Sequence, residues 1–190
     1  WPVEVSIAAS AVNGEILSAN VPATFVVENV NGTWGVNKGL KGSGTETDPY
    51  QIGTKEELIL FRDSVNAGEN KYSAPGVCVI LTADIDLASV ENWAPIGNWD
   101  YSFDANFNGQ GHKISNYSCP NGMFHVLNGS VENLIIENAN VAGGANMGIL
   151  AHYIGYTKGE NVYTGKVKNI VFKDCSFSGG ADSGMLSGYT

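Results

Sequence analysis

The chain has 190 residues, 43% of them hydrophobic, so it can bury a real core and is not a disordered tail. Ten Lys and Arg against 19 Asp and Glu leave a formal charge of −9, which argues against nucleic acid as a partner, because phosphate-backbone sites need clustered cations. The 24 glycines, with asparagines set beside apolar runs, point to many tight turns between short strands, and no run of 18 apolar residues is present to insert into a membrane.

In chain order, the first forty residues read as extended structure. Phe25-Val26-Val27-Glu28-Asn29-Val30 runs into Asn31-Gly32 and then Thr33-Trp34-Gly35-Val36, and an Asn-Gly pair between two β-prone runs favours a type I′ hairpin. Residues 1–41 are therefore expected as an N-terminal extended segment or hairpin, and residues 42–190 as the main domain. The start at Trp1, without an initiator Met, is read as an export signal removed or left out, and the stop at Thr190, inside a repeat, as a chain that continues.

One good helix is predicted, over about 54–67. Thr54-x-x-Glu57 fits a capping box, Leu58, Phe61 and Val65 fall on one face, and Gly68 stops the pattern. Downstream, Val77-Cys78-Val79-Ile80-Leu81 is a continuous apolar run of the kind a strand at a sheet centre needs. Cys78, Cys119 and Cys175 lie far apart without Cys-x-x-Cys spacing, and read as small buried thiols, with a single disulfide as the alternative.

A repeat then emerges. GSVENLIIENANVAGGANMGILAHY (129–153) aligns without gaps on GKVKNIVFKDCSFSGGADSGMLSGY (165–189) at an offset of 36, and Gly122-Met123-Phe124 is a weaker third copy 26 residues earlier. Self-similarity at this period means a stacked array in which each unit buries its apolar edge against the next. Three short strands and their turns need roughly 20–25 residues, so 26 fits one coil and 36 one coil carrying an inserted loop near Gly155 to Thr164. The expected fold is mainly β, a right-handed parallel β-helix whose open N-terminal end is covered by the 54–67 helix. Superposed copies set Glu132 against Lys168, Glu137 against Lys173 and Asn133 on Asn169, so opposite charges and amides stack instead of like charges.

From Gly42 onward the chain resembles bacterial surface proteins carrying GLUG repeats. The resemblance rests on the order of GSGTETDPYQIGTKEELILFRDSVNAG (42–68), LTADIDL (81–87), WAPIGN (93–98), FDANFNGQGHKISN (103–116), GMF (122–124), VENLIIENANVAG (131–143) and GMLSGY (184–189). It covers about three quarters of the chain. It implies a parallel β-helix on exported proteins, including adhesin-like chains and some immunoglobulin-cleaving metalloproteases, in which the repeats are non-catalytic. Where the family's repeat often reads Gly-Gly-Leu-Val-Gly, this chain has Gly148-Ile149-Leu150-Ala151-His152 and Gly184-Met185-Leu186-Ser187-Gly188.

Candidate chemistry is sparse. Asp84 and Asp86 alternate on one strand and supply too few oxygens for calcium, so turn and ladder roles are preferred. His112 follows Gly109-Gln110-Gly111, a turn similar to the Gly-His-Gly site of β-helix galacturonases, but it lacks the aspartate set and cationic clamps that chemistry needs. His125 and His152 read as ordinary partly buried side chains, and Trp93 as core or rim packing. The only arginine is Arg62, on the helix, which argues against uronate-lyase chemistry.

No cofactor, metal site or catalytic residue is indicated. The preferred reading is a secreted or bacterial cell-surface module for adhesion, binding a glycan or a host surface protein. The alternatives are a structural spacer in a larger exported protein and a polysaccharide-active enzyme. Specificity on a solenoid comes from irregular loops, and aromatic rings suit the apolar faces of sugars. The candidate ligand-binding residues are therefore Trp99 and Tyr101 in the stretch 98–104, and Tyr156 and Tyr163 in the inserted loop.

Overall fold

A computed structural model describes residues 26–30, 33–37, 39–156 and 162–189. The extended reading of residues 1–25 and the Asn31-Gly32 turn lie outside the described residues. Two compact units divide the chain, 1–39 and 40–190. In the first, β1 (Val26–Val30) and β2 (Thr33–Asn37) pair antiparallel with Val30 opposite Thr33, as a two-residue connection requires.

The second unit is mainly β, with two helices among the described residues. After β3 (Tyr50–Ile52), the helix α1 (Lys55–Asn66) begins at Thr54, whose side chain accepts from the Glu57 amide while the Glu57 carboxylate accepts from the Thr54 amide. Reciprocal capping satisfies two N–H groups that the first turn would leave orphaned. Leu58, Phe61 and Val65 are fully buried, and the Phe61 ring lies edge-on to Phe103 at 5.8 Å and tilted against Phe107 at 6.1 Å. The helix therefore covers apolar side chains that the first turns would otherwise leave in water. A short α2 (Asn70–Ser73) follows Gly68.

The rest is strands: β4 (Cys78–Leu81), β5 (Ile85–Asp86), β6 (Asn106–Asn108), β7 (Lys113–Ser115), β8 (Ser118–Cys119), β9 (Phe124–Leu127), β10 (Ser130–Glu137), β11 (Asn140–Ala142), β12 (Ala151–Ile154), β13 (Lys166–Lys173), β14 (Ser176–Ser178) and β15 (Ser187–Tyr189). Every pairing within this unit's sheets is parallel. The first sheet runs β3-β4-β6-β10-β7-β5 with β13 on β10, the second β14-β11-β8, and the third β15-β12-β9. Each strand from β7 to β12 thus pairs with its counterpart one circuit of the chain later. The long β10 takes β6 along its first half and β7 along its second.

The repeat register is as the alignment predicts. Val131 faces Val167, Ile136 faces Phe172, Val141 faces Phe177, and Glu132 and Glu137 face Lys168 and Lys173. Glu137 bridges Lys173 on one side and Lys113 on the other. These two lysines, Lys113 first, hold its carboxyl down at about 2. Asn169 donates its amide to the Asn133 side chain at 2.9 Å, and both residues sit at φ +52°, a left-handed conformation that asparagine tolerates better than most residues. A second left-handed column, Asn116, Asn138 and Asp174, follows the first sheet where the chain turns toward the second.

Two details differ from the sequence reading. The Gly122 copy is offset by one residue, because Phe124 pairs with Ala151 and not with Leu150, so the earlier circuit is 27 residues at this strand. Turn length between β11 and β12 absorbs the difference. The cysteines are all unpaired thiols, but only Cys119 is buried, while Cys78 on β4 and Cys175 between β13 and β14 are partly exposed. No helix among the described residues is long and apolar enough to cross a membrane.

Candidate functional site

The site is assembled where α1 ends. Gly68 follows the helix at φ +82°, and a Cβ there would lie 2.7 Å from the Tyr101 ring, so the residue that lets the backbone turn also makes room for that ring. Asn66, in the last turn, clamps the opposite loop. Its side chain donates to the Pro95 carbonyl at 2.9 Å and accepts from the Gly97 amide at 2.7 Å, while its carbonyl accepts from Asn98 at 3.2 Å. The Asn98 side chain in turn accepts from the amides of Asp100 and Tyr101, both at 2.9 Å. The stretch 98–104 is irregular in outline yet bonded along its backbone.

That bonding fixes where Trp99 and Tyr101 go. Both are about half exposed, at 47% and 46%. One side of Trp99 packs on the outer face of the third sheet, with ring centroids 4.8 Å from His125, 4.9 Å from Tyr153 and 5.3 Å from Tyr156. Tyr156 is held from the other direction, its amide donating to the Asn128 side chain at 3.0 Å.

All four sequence candidates, Trp99, Tyr101, Tyr156 and Tyr163, line one open pocket of about 330 Å³. Polar groups come from Asn70, Ser73, Ser102, Asn128, Asp100 and Asp104. The Ser102 hydroxyl donates to Asp104 at 2.6 Å, and the Asp104 amide donates to the Ser73 carbonyl, which ties α2 to the loop. Residues 157–161, between Tyr156 and Tyr163, lie outside the described residues.

Sequence reasoning did not reach what lies beneath Trp99. His125 on β9 and His152 on β12 meet edge to face with centroids 4.8 Å apart, and Tyr153 lies tilted against Tyr189 of β15 at 5.6 Å, so aromatic rings run up the third sheet from Trp99. The Nδ1 atoms of His125 and His152 are buried and have no hydrogen-bond partner among the described residues. Burial, and then the neighbouring His152, push the His125 imidazole down to about 4, and burial lowers His152 as well. Both shifts favour the neutral imidazole, and both rings lie against Trp99 without lining the pocket themselves.

The remaining candidates have structural partners. Asp84 accepts from the Lys113 amide and from His112 at 3.1 Å, so the histidine is bonded to the carboxylate just before β5. Asp86 accepts from the Ala88 amide and the Asn116 side chain, both at 2.9 Å. Trp93 is buried, with the Arg62 guanidinium 4.6 Å from its ring centre. Among the described residues, no three His, Cys, Asp or Glu side chains converge as metal ligands.

Comparison with known proteins yields two likenesses. The chain is 31% identical over 158 aligned positions to halomucin from Haloquadratum walsbyi, covering 74% of the chain but about 2% of halomucin's length. A Bacteroides ovatus crystal structure, provisionally described as an immunoglobulin A1 protease, superposes with a TM-score of 0.59 at 30% identity. The match covers 69% of this chain and 39% of that one. No family model matches.

Proposed function

We propose that residues 42–190 form a right-handed parallel β-helix of the GLUG-repeat kind, capped by α1. It acts as a non-catalytic secreted or cell-surface module that binds a glycan at the Trp99 pocket. The β-helix reading draws on the unbroken parallel pairing of three sheets, circuit upon circuit. The likenesses to halomucin and to the Bacteroides ovatus protein support a surface or exported setting, in which glycans are the abundant partners.

One observation carries the binding site. Aromatic residues from two stretches more than fifty positions apart meet around a single concave, solvent-open pocket rimmed by amide, hydroxyl and carboxylate groups. Half-exposed rings suit the apolar C–H faces of a sugar, and the rim groups suit its hydroxyls. A glycan array probed with the whole chain, followed by calorimetry on the best oligosaccharides, tests this. The expected result is binding that Trp99→Ala lowers at least tenfold. An array with no positive glycan would leave the chain as a spacer.

A second reading has its own observation, since Asp100 and Asp104 both line the pocket and two carboxylates can hydrolyse a glycoside. Asp100, however, stands exposed to water, outside the enclosed apolar setting that a general acid requires. Release of new reducing ends from a bound oligosaccharide, abolished by Asp100→Asn, would establish the enzymatic reading in place of the binding one.

A further inference from the structure

The carboxylates have a use that does not require catalysis. Two acids line the pocket, and among the described residues no Lys or Arg does. The nearest lysine in sequence, Lys71 beside Asn70, is occupied elsewhere, paired with Glu69 at 2.8 Å and lying over the Tyr72 ring. With a chain charge of −9 behind it, the pocket combines aromatic rings with two carboxylates that no lysine or arginine among the described lining residues offsets.

That combination recognises positive charge. An aromatic ring presents a negative face to a cation, and a carboxylate placed beside it attracts the same group; each contribution is modest in water, and together they discriminate. A uronate or sialate would meet Asp100 and Asp104 with like charge. A neutral sugar would gain the stacking but leave the carboxylates facing hydroxyls.

We propose that the Trp99 pocket selects saccharides bearing a protonated amino group, with Trp99 and Tyr101 against the ring and its ammonium, and Asp100 and Asp104 as its counter-charges. This rests on the pocket being the glycan site. The ammonium group is the distinguishing feature, and free amino sugars are the class of ligand that carries it.

The test uses oligosaccharides matched except at nitrogen: tetramers of glucosamine against N-acetylglucosamine, and of galactosamine against N-acetylgalactosamine. Binding to the whole chain is measured by calorimetry at about pH 6 and about pH 9, with and without a calcium chelator. The amine member of at least one pair should bind roughly tenfold more tightly at the lower pH. The advantage should shrink at the higher pH and in added salt, and disappear in Asp100→Asn with Asp104→Asn. Equal binding of matched members, with both weakened by Trp99→Ala, overturns the amine preference and leaves the pocket standing as a neutral-sugar site. Binding that the chelator abolishes also overturns it, because the carboxylates then serve a metal ion. Failure of Trp99→Ala to weaken any bound sugar overturns the preference and the glycan site together.

Discussion

The middle circuit of strands, β10 to β12, and the last, β13 to β15, are built from aligned sequence, yet they live in different surroundings. Ile149 and Leu150 are fully buried, whereas their equivalents Met185 and Leu186 are 52% and 40% exposed. Val131, Ile136 and Val141 are sealed in the core, while Val167, Phe172 and Phe177 are only partly covered. The pattern of apolar residues is the same; what differs is that the described strands pack against the middle circuit from both sides and against the last from one. Burial in this unit is therefore supplied by the next circuit, and stability should rise and fall with stacking more than with the composition of any one strand.

The sharpest way to break that comparison is to truncate equivalent side chains. Ile136→Ala removes a fully buried side chain packed from both sides and should cost about 3–4 kcal/mol, while Phe172→Ala, though a larger deletion, should cost about 1–2 kcal/mol at a half-open edge. Urea unfolding of the two variants measures both. Equal losses would mean that the last circuit is as well packed as the middle one, and the nearest-neighbour argument would fail.

Acid separates the circuits next. His125 and His152 belong to adjoining circuits, and the last circuit places Gly188 at the same point, between paired Ser187 and Tyr189. In the unfolded chain a histidine takes its proton near pH 6.5, whereas folded His125 resists until about 4. Between these values the unfolded state binds more protons. The stability that neutral His125 contributes is whole above about pH 6.5 and lost as pH falls to about 4, at most about 3 kcal/mol. Glu137 works in a lower window. Its folded value of about 2 means that its share is present above the ordinary carboxylate range and is lost as pH falls toward 2. Unfolding midpoints measured from pH 8 to 3 should fall in two stages, with His125→Phe shrinking the upper one and Glu137→Gln the lower.

The asparagine column gives a smaller contrast. Asn133 accepts from Asn169 and donates to Asn108, whereas Asn169 has the Asn133 partner alone among these amides. Both hold φ +52°, where alanine is strained. Asn133→Ala should therefore cost about 2 kcal/mol and Asn169→Ala about 1 kcal/mol, the difference being one hydrogen bond. Thermal unfolding of the pair checks it.

The sequence made some of this visible because the signals were local or repeated. Thr54 and Glu57 mark the start of α1 by their spacing, and the constant offset of 36 alone sets Glu137 on Lys173 and Asn133 on Asn169. The four aromatic candidates were legible as rings in irregular stretches. Their convergence was not, because it depends on how α1, α2 and two loops meet in space. The four residues of α2 are too few to show a period, so the wall formed by Asn70 and Ser73 gave no signal. The histidine stack was hidden for a different reason: the glycine-led copies suggested a spacing of 26 where the strands pair at 27, and only the true register sets His125 beside His152.

The smallest effect concerns the rings that face solvent. Trp99 and Tyr189 expose 47% and 60% of their surface and both touch Tyr153, but Trp99 also rests on His125 and Tyr156, whereas Tyr189 sits on β15, paired with β12 alone among the described strands. Trp99→Ala should lower stability by about 1 kcal/mol and Tyr189→Ala by less than about 0.5 kcal/mol, the range expected of surface side chains without buried partners. Tyr101 adds a test of seating. Its ring fills the space that a Cβ on Gly68 would occupy, so Gly68→Ala should displace it, at a cost from the left-handed backbone as well as from the clash. In a Tyr101→Ala background only the backbone cost remains, and the two substitutions together should cost less than the sum of each alone. Thermal melts of the four chains in that cycle read the coupling directly. Strict additivity would mean that Gly68 does not seat Tyr101, and that the helix end plays no part in shaping the pocket.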